Sequence, residues 1–184
     1  PDQKPRAIFV SALRDMPLAG NFEFELQGNE NDFQTGLTAL SKIAKTYLGI
    51  GAQQTSSALT SAKDVEVNVF GGPCPAGNVG VQVNNIAPVN KGEVVWTVDP
   101  TAVIFFGRLF NTGKVDLRRL VAVAGSEVNN PAYAEVLVGQ PIASLLEGKL
   151  ASTEHVRIIN GNPLTGRKCT ADDFVGGHTS EITA

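Results

Sequence analysis

Apolar residues fall in short runs and stripes whose spacing alternates between strand and helix along the first part of the chain. Ala7-Ile8-Phe9-Val10, bounded by Pro5 and the polar Arg14-Asp15 pair, predicts a buried strand. Phe33, Leu37, Leu40, Ala44 and Leu48 recur at three- and four-residue spacing. That stripe predicts an amphipathic helix over 31–47, with Asn31 as its cap. Tyr47 to Gly51 predicts the next strand, residues 54–63 a weaker helix, and Val65, Val67 and Val69 a third strand ending at Phe70. Glu93 to Val98 predicts a fourth. Asp99 and Pro100 suit the cap and first position of a helix reaching Asn111, which Gly113 ends. Val103, Phe106, Gly107 and Phe110 share one face of it. Strands alternating with helices predict an open, mainly parallel sheet of Rossmann-like α/β type, with helices on its faces.

The pattern changes near Lys114. Two β-branched runs, Arg119 to Ala124 and Tyr133 to Val138, flank the turn Asn129-Asn130-Pro131 and predict a hairpin. A short helix over 142–147, a strand from His155 to Ile159 and a tight turn from Gly161 to Gly166 follow. This ββαβ order predicts a small α+β unit. The boundary falls at 113–117, giving an α/β domain over 1–116 and an α+β domain over 117–184. The tail from Gly176 onward offers little to bury.

Composition narrows the function classes. A net charge of -3 with 18% charged residues argues against nucleic-acid binding, which wants a basic footprint. No apolar run approaches the roughly 18 residues a bilayer span needs. Pro1-Asp2-Gln3-Lys4-Pro5 shows no signal-peptide core. The chain opens without an initiator Met and reads as a piece of a longer protein. Two cysteines far apart in sequence, Cys74 and Cys169, make no disulfide framework, and a reducing cytoplasm is the simpler reading.

The most informative stretch runs from Val69 to Gly80, where a strand meets a loop of Gly71, Gly72, Pro73, Cys74, Pro75, Ala76, Gly77 and Gly80. Glycine allows close approach of a ligand, proline stiffens the loop, and the carboxyl end of a strand is where open α/β sheets place their crevice. The loop is either a phosphate cradle or ring platform, or a strand-to-helix turn with no ligand. Its spacing matches neither G-x-G-x-x-G nor G-x-x-x-x-G-K-[ST], and only Asp99 approaches a ribose-binding position. Cys74 reads as a small, semi-buried thiol without a base, and Cys169 as a surface residue. His155 and His178 lack metal-ligand spacing. Arg118-Arg119 and Asp172-Asp173 read as surface charges, and Phe105, Phe106 and Phe110 as core. No catalytic set is visible.

Longer segments carry a family resemblance. Arg6 to Ala12, Pro17-Leu18-Ala19, Asp32 to Leu37, the Gly72 to Gly80 loop, Gly107 to Gly113, Arg119 to Gly125 and Ile158 to Gly166 together resemble the NqrA subunits of the Na⁺-translocating NADH:quinone oxidoreductases. The resemblance implies a first domain like the flavin subunit of respiratory complex I and a second of the β-grasp type called SLBB. It implies a peripheral subunit on the cytoplasmic face of a bacterial inner membrane, forming the quinone site with a membrane-embedded subunit. Quinone would be the substrate of the complex, and FMN, FAD and iron–sulfur centres would sit on other subunits, with none bound by this chain. The family's loop usually carries His where Cys74 stands, so no histidine role transfers. Two alternatives stand beside this: a free-standing nucleotide- or flavin-binding oxidoreductase domain using the 71–80 loop, and a β-grasp unit that binds a soluble ligand such as a cobalamin.

Overall fold

The computed structural model describes residues 3–152 and 154–184; Pro1 and Asp2, at the head of the stretch without a signal-peptide core, and Thr153 lie outside them. The chain divides into two compact units. The first runs to Asp15 and resumes at Phe22–Asp116; the second comprises Met16–Asn21 and Leu117–Ala184.

In the first unit the elements are β1 (Ala7–Ser11), α1 (Phe22–Leu26), α2 (Glu30–Ser41), β2 (Lys45–Gly51), α3 (Ser57–Thr60), β3 (Glu66–Phe70), α4 (Val79–Ile86), β4 (Val95–Val98) and α5 (Pro100–Thr112). The four strands form a wholly parallel sheet of order β3-β2-β1-β4. Successive strand side chains point to opposite faces. Ile8, Val10, Leu48 and Ile50 therefore meet Phe33, Leu37, Val103 and Ile104 on one side. Ala7, Phe9 and Tyr47 meet Val83 of α4 on the other.

Helices α2 and α5 touch backbone to backbone. A Cβ on Gly36 would run into the Val103 carbonyl, and one on Gly107 into the Asp32 carbonyl. Around that crossing Arg108 donates to the Asn29 side chain at 2.8 Å, Asn111 to Asp32 at 2.7 Å, and Thr35 to Asn111 at 3.1 Å.

Helix α2 ends at Ser41, short of the expected 47, and Asn29 rather than Asn31 stands at the position before it, without a capping hydrogen bond from its side chain. The chain tightens there: the Ile43 N–H reaches the Leu40 carbonyl at 2.9 Å. Thr46 and Tyr47 then favour the strand, and Leu48, which matches the helical stripe by spacing, fills the middle of β2. The weaker helix over 54–63 shrinks to α3, and α1 and α4 are helices that the sequence pattern above does not assign. Helix α5 begins as expected. Asp99 accepts from the Thr101 N–H at 2.9 Å, Pro100 opens the helix, and Gly113 at φ 71° closes it in the left-handed region. Its core face is Val103, Ile104 and Gly107; Phe106 and Phe110 are exposed, against expectation.

The second unit holds β5 (Arg118–Ala124), β6 (Ala132–Leu137), α6 (Ala143–Leu146), β7 (Ile158–Asn160), β8 (Arg167–Cys169) and β9 (Glu181–Thr183). They form a mixed sheet of order β6-β5-β9-β7-β8, in which β5 and β9 are parallel and the other pairs antiparallel. The tail does not lie idle: β9 is the central strand and Ile182 is fully buried. His155 falls outside β7 at φ 58°, so the expected strand starts three residues late. Cys169 is buried rather than exposed, and burial followed by the Asp173 carboxylate pushes its thiol above its ordinary value. Asp173 caps the turn after β8. It accepts from the Thr170 N–H at 2.8 Å and hydroxyl at 3.2 Å, which hold its carboxyl below the usual range. Arg119 is buried, not a surface charge, and its guanidinium donates to the Gly177 carbonyl at 2.6 Å.

Because the α2–α5 crossing leaves no room for a side chain, Gly107→Ala is expected to destabilise the first unit by about 1–3 kcal/mol. Denaturant titration followed through the single tryptophan, Trp96, measures it.

Candidate functional site

The glycine–proline stretch leaves the carboxyl end of β3, the edge strand of the parallel sheet, and enters α4. Gly71, Gly72, Pro73, Cys74 and Pro75 are exposed, while Ala76 and Gly77 are half-buried. Cys74 is thus exposed, not semi-buried, and its peptide to Pro75 is cis. Gly80 is the second residue of α4 rather than part of the loop. Its N–H donates to the Asn78 side chain at 2.8 Å, and Asn78 caps the helix.

Three side chains from elsewhere hold the base of this loop. The Gly77 N–H donates to Asp15 Oδ2 at 2.9 Å. Ser11 Oγ, at the end of β1, donates to the Gly77 carbonyl at 3.0 Å. Buried Gln82 of α4 donates through Nε2 to the Ala76 carbonyl at 3.1 Å. Gln82 fits because Gly49 in β2 has no side chain: a Cβ there would collide with Gln82 Oε1. Gly77 is equally constrained, since a Cβ would lie 2.5 Å from Asp15 Oδ1 and 2.7 Å from the Leu13 carbonyl.

The sheet order β3-β2-β1-β4 reverses between β1 and β4, and Rossmann-type folds bind nucleotides beyond the carboxyl ends of the strands at that switch point. Here side chains of the chain itself fill the place. Arg14 Nη2 lies 3.0 Å from Glu25 Oε2 and 3.1 Å from Thr101 Oγ1. Thr101 Oγ1 in turn lies 3.0 Å from both Glu25 oxygens. Glu25 is 3% exposed, and the Arg14 guanidinium covers the Phe22 ring at 5.2 Å. The carboxylate sits at the first turn of α5, where the helix dipole favours an anion. Glu25 thus places a carboxylate where the helix start would favour an anion. Asp99, the nearest approach to a ribose ligand, spends its carboxylate on capping α5.

Sequence reasoning picked out the loop but missed Ser11, Asp15, Gln82, Arg14 and Glu25. Two adjacent opposite charges directly after a buried strand were the available signal. Arg14 turns to the switch point and Asp15 to the loop. His155 lines an open depression of about 540 Å³ in the second unit with Glu127 and Arg157. His178 is exposed. A shallow groove of about 640 Å³ in the same unit is walled by Pro141, Leu146, Leu150, Ile158 and Ala171. Among the described residues no three His, Cys, Asp or Glu side chains are grouped to hold a metal ion. No helix among them is long and apolar enough to cross a membrane.

Fold and site together define a Rossmann-like unit with its switch point closed from within, joined to a β-grasp module. Comparison with known proteins agrees and goes further. Residues 1–115 match the family model described as the NqrA second alpha/beta domain, and residues 120–171 match the SLBB model described as the NQRA C-terminal domain. The chain therefore belongs to the NqrA family. It is 34% identical over 187 residues to the NqrA subunit of the Na(+)-translocating NADH-quinone reductase of Neisseria meningitidis serogroup B, and 36% identical over 183 residues to that of Vibrio alginolyticus. Each alignment covers 99% of this chain and 41% of the relative, so the chain spans about two fifths of the curated relatives it matches. A chain in the crystal structure of an NAD+-reducing [NiFe]-hydrogenase aligns over 98% of this chain and 40% of its own, with a TM-score of 0.66 and 12% identity. That likeness is one of fold alone.

The buried ion pair has a measurable consequence. Glu25→Ala leaves Arg14 without its carboxylate in a nearly dry site and is expected to cost about 3–5 kcal/mol, whereas the double change Arg14→Met with Glu25→Leu costs much less. Denaturant titration of the three proteins checks the order.

Proposed function

We propose that the chain is part of the NqrA subunit of a sodium-pumping NADH:quinone oxidoreductase and helps form its quinone-reduction site with the membrane-embedded subunit. One observation carries this reading: two NqrA family models follow each other in order, over residues 1–115 and 120–171. The names of the relatives, which are Na(+)-translocating NADH-quinone reductase subunits, supply the complex. The subunit sits peripherally on the cytoplasmic face of the bacterial inner membrane. FMN, FAD and iron–sulfur centres lie on companion subunits and deliver electrons from NADH. This chain contributes shape and contact surface, and no residue of it transfers electrons or protons.

Within it, the loop from Gly71 to Gly77, with Gly80 in the first turn of α4 beyond it, is the ligand- or partner-facing element. Its exposed tip carries no charge, and its backbone is open at Gly71 and Gly72, where a Cβ would meet little or nothing. An uncharged, stiff surface suits contact with a flat, neutral ring or with an apolar protein surface. The β-grasp unit supports assembly. The contrasting reading, a free-standing nucleotide- or flavin-binding domain, is disfavoured by Glu25 at the switch point.

Kinetics of the assembled reductase test the proposal. Cys74→Ala is expected to leave quinone reduction within about twofold, because the thiol has no step to perform. Gly77→Val, whose side chain displaces the loop base, is expected to lower quinone kcat/KM by about tenfold or more, since ångström-scale misplacement is costly. NADH oxidation by an artificial acceptor should persist in both. Unchanged quinone kinetics in Gly77→Val with a displaced loop would refute the loop's role. A thermal shift of this chain by itself, without companion subunits, with FMN or NADH would favour the nucleotide-binding reading.

A further inference from the structure

We infer that Asp15 is a positioning residue that, with Ser11 and Gln82, fixes the glycine–proline loop as a preformed recognition element. The inference rests on the proposed role of the loop and specifies how the fold sustains it. A loop whose tip is exposed from Gly71 to Pro75 is ordinarily the most mobile part of a domain. Here the mobility is removed at its base. Gly77 is held on both of its peptide units, its N–H by Asp15 at 2.9 Å and its carbonyl by Ser11 at 3.0 Å. The preceding carbonyl, of Ala76, is held by Gln82 at 3.1 Å.

These three struts come from the end of β1, the segment leaving it and α4, so they tie the loop to the sheet and to the helix it leads into. Gln82 is 1% exposed, and its amide is packed against Gly49, so it has no room to swing away. The loop also closes on itself: Ala76 N–H reaches the Pro73 carbonyl at 3.1 Å and Asn78 N–H the Pro75 carbonyl at 2.9 Å. What remains outside is a tip whose shape is set before any ligand arrives. Preorganisation of this kind acts on binding, because it removes the entropy cost of ordering the loop at the moment of contact. Asp15 itself is spent on the Gly77 amide and works through the loop.

The test is made in the assembled reductase with Asp15→Ala and Asp15→Asn. Asn keeps an oxygen that accepts from the Gly77 N–H; Ala does not. Two readouts are taken: amide hydrogen exchange of the peptide containing Cys74 to Asn78, and KM and kcat for a short-chain quinone. Asp15→Ala is expected to speed exchange of that peptide and to raise quinone KM about fivefold or more with kcat within about twofold, the pattern of lost binding rather than lost chemistry. Asp15→Asn is expected to stay near wild type in both. Unchanged exchange in Asp15→Ala overturns the inference, and so does an Asn variant as impaired as the Ala variant, because charge rather than the hydrogen bond would then be at work. Faster exchange with unchanged quinone KM upholds the pinning and overturns the role of the loop at the quinone site. If Asp15→Ala fails to assemble, Ser11→Ala removes the other side-chain bond to Gly77 and carries the same two readouts, with the same outcomes deciding.

Discussion

The exit of β1 is the constraint on which the first unit depends. Two residues of opposite charge follow a largely buried strand and must each find a partner, since a charge held near the interior without one is costly. Arg14 finds Glu25 and Thr101, and in doing so fastens α1 and the start of α5 over the carboxyl edge of the sheet. Asp15 finds the Gly77 amide and fastens the glycine–proline loop on the side of β2 and β3. A Rossmann-like sheet with a vacant switch point would invite a nucleotide there. In this chain an internal carboxylate stands in that place, and the loop on the other flank is left as the exposed feature.

The crossing of α2 and α5 serves the same arrangement from beneath. Gly36 and Gly107 let the two helices approach until backbone meets backbone. The closeness brings Asn29, Asp32 and Thr35 within reach of Arg108 and Asn111. It also fixes where α5 begins, and hence where Thr101 meets Glu25. The segments that carry the family resemblance, Asp32 to Leu37 and Gly107 to Gly113, are the two sides of this crossing. The resemblance in sequence therefore has a packing origin at that point.

Much of the architecture was legible because its signals are local. Asp99-Pro100 and Gly113 mark the ends of α5 through capping chemistry, and the β5–β6 hairpin follows from two β-branched runs around a polar turn. The misreadings share a cause: one-dimensional periodicity does not know what a segment packs against. Leu48 matched a helical stripe but belongs to a buried strand, and Phe110 matched a core spacing but faces solvent at 66% exposure. Ile182 lay in a tail with no visible partner and is in the central strand of a sheet, paired on one side with β5 about sixty positions earlier, a separation that defeats local reading. The loop was found from its glycines and prolines alone. Its anchors were not, since Ser11, Asp15 and Gln82 are common residue types whose meaning emerges only when β1, β3 and α4 are brought together.

If the exposed tip of the loop meets quinone, or the surface that encloses it, in the working enzyme, Cys74 reports the contact directly. Buried Cys169 serves as an internal reference. The measurement is the rate of maleimide labelling of each thiol in the assembled reductase, read by peptide mass spectrometry with and without a saturating short-chain quinone. Quinone is expected to slow labelling at Cys74 severalfold and to leave Cys169 unchanged. Equal labelling of Cys74 in both conditions, at the rate of an open surface thiol, would contradict that placement of the loop.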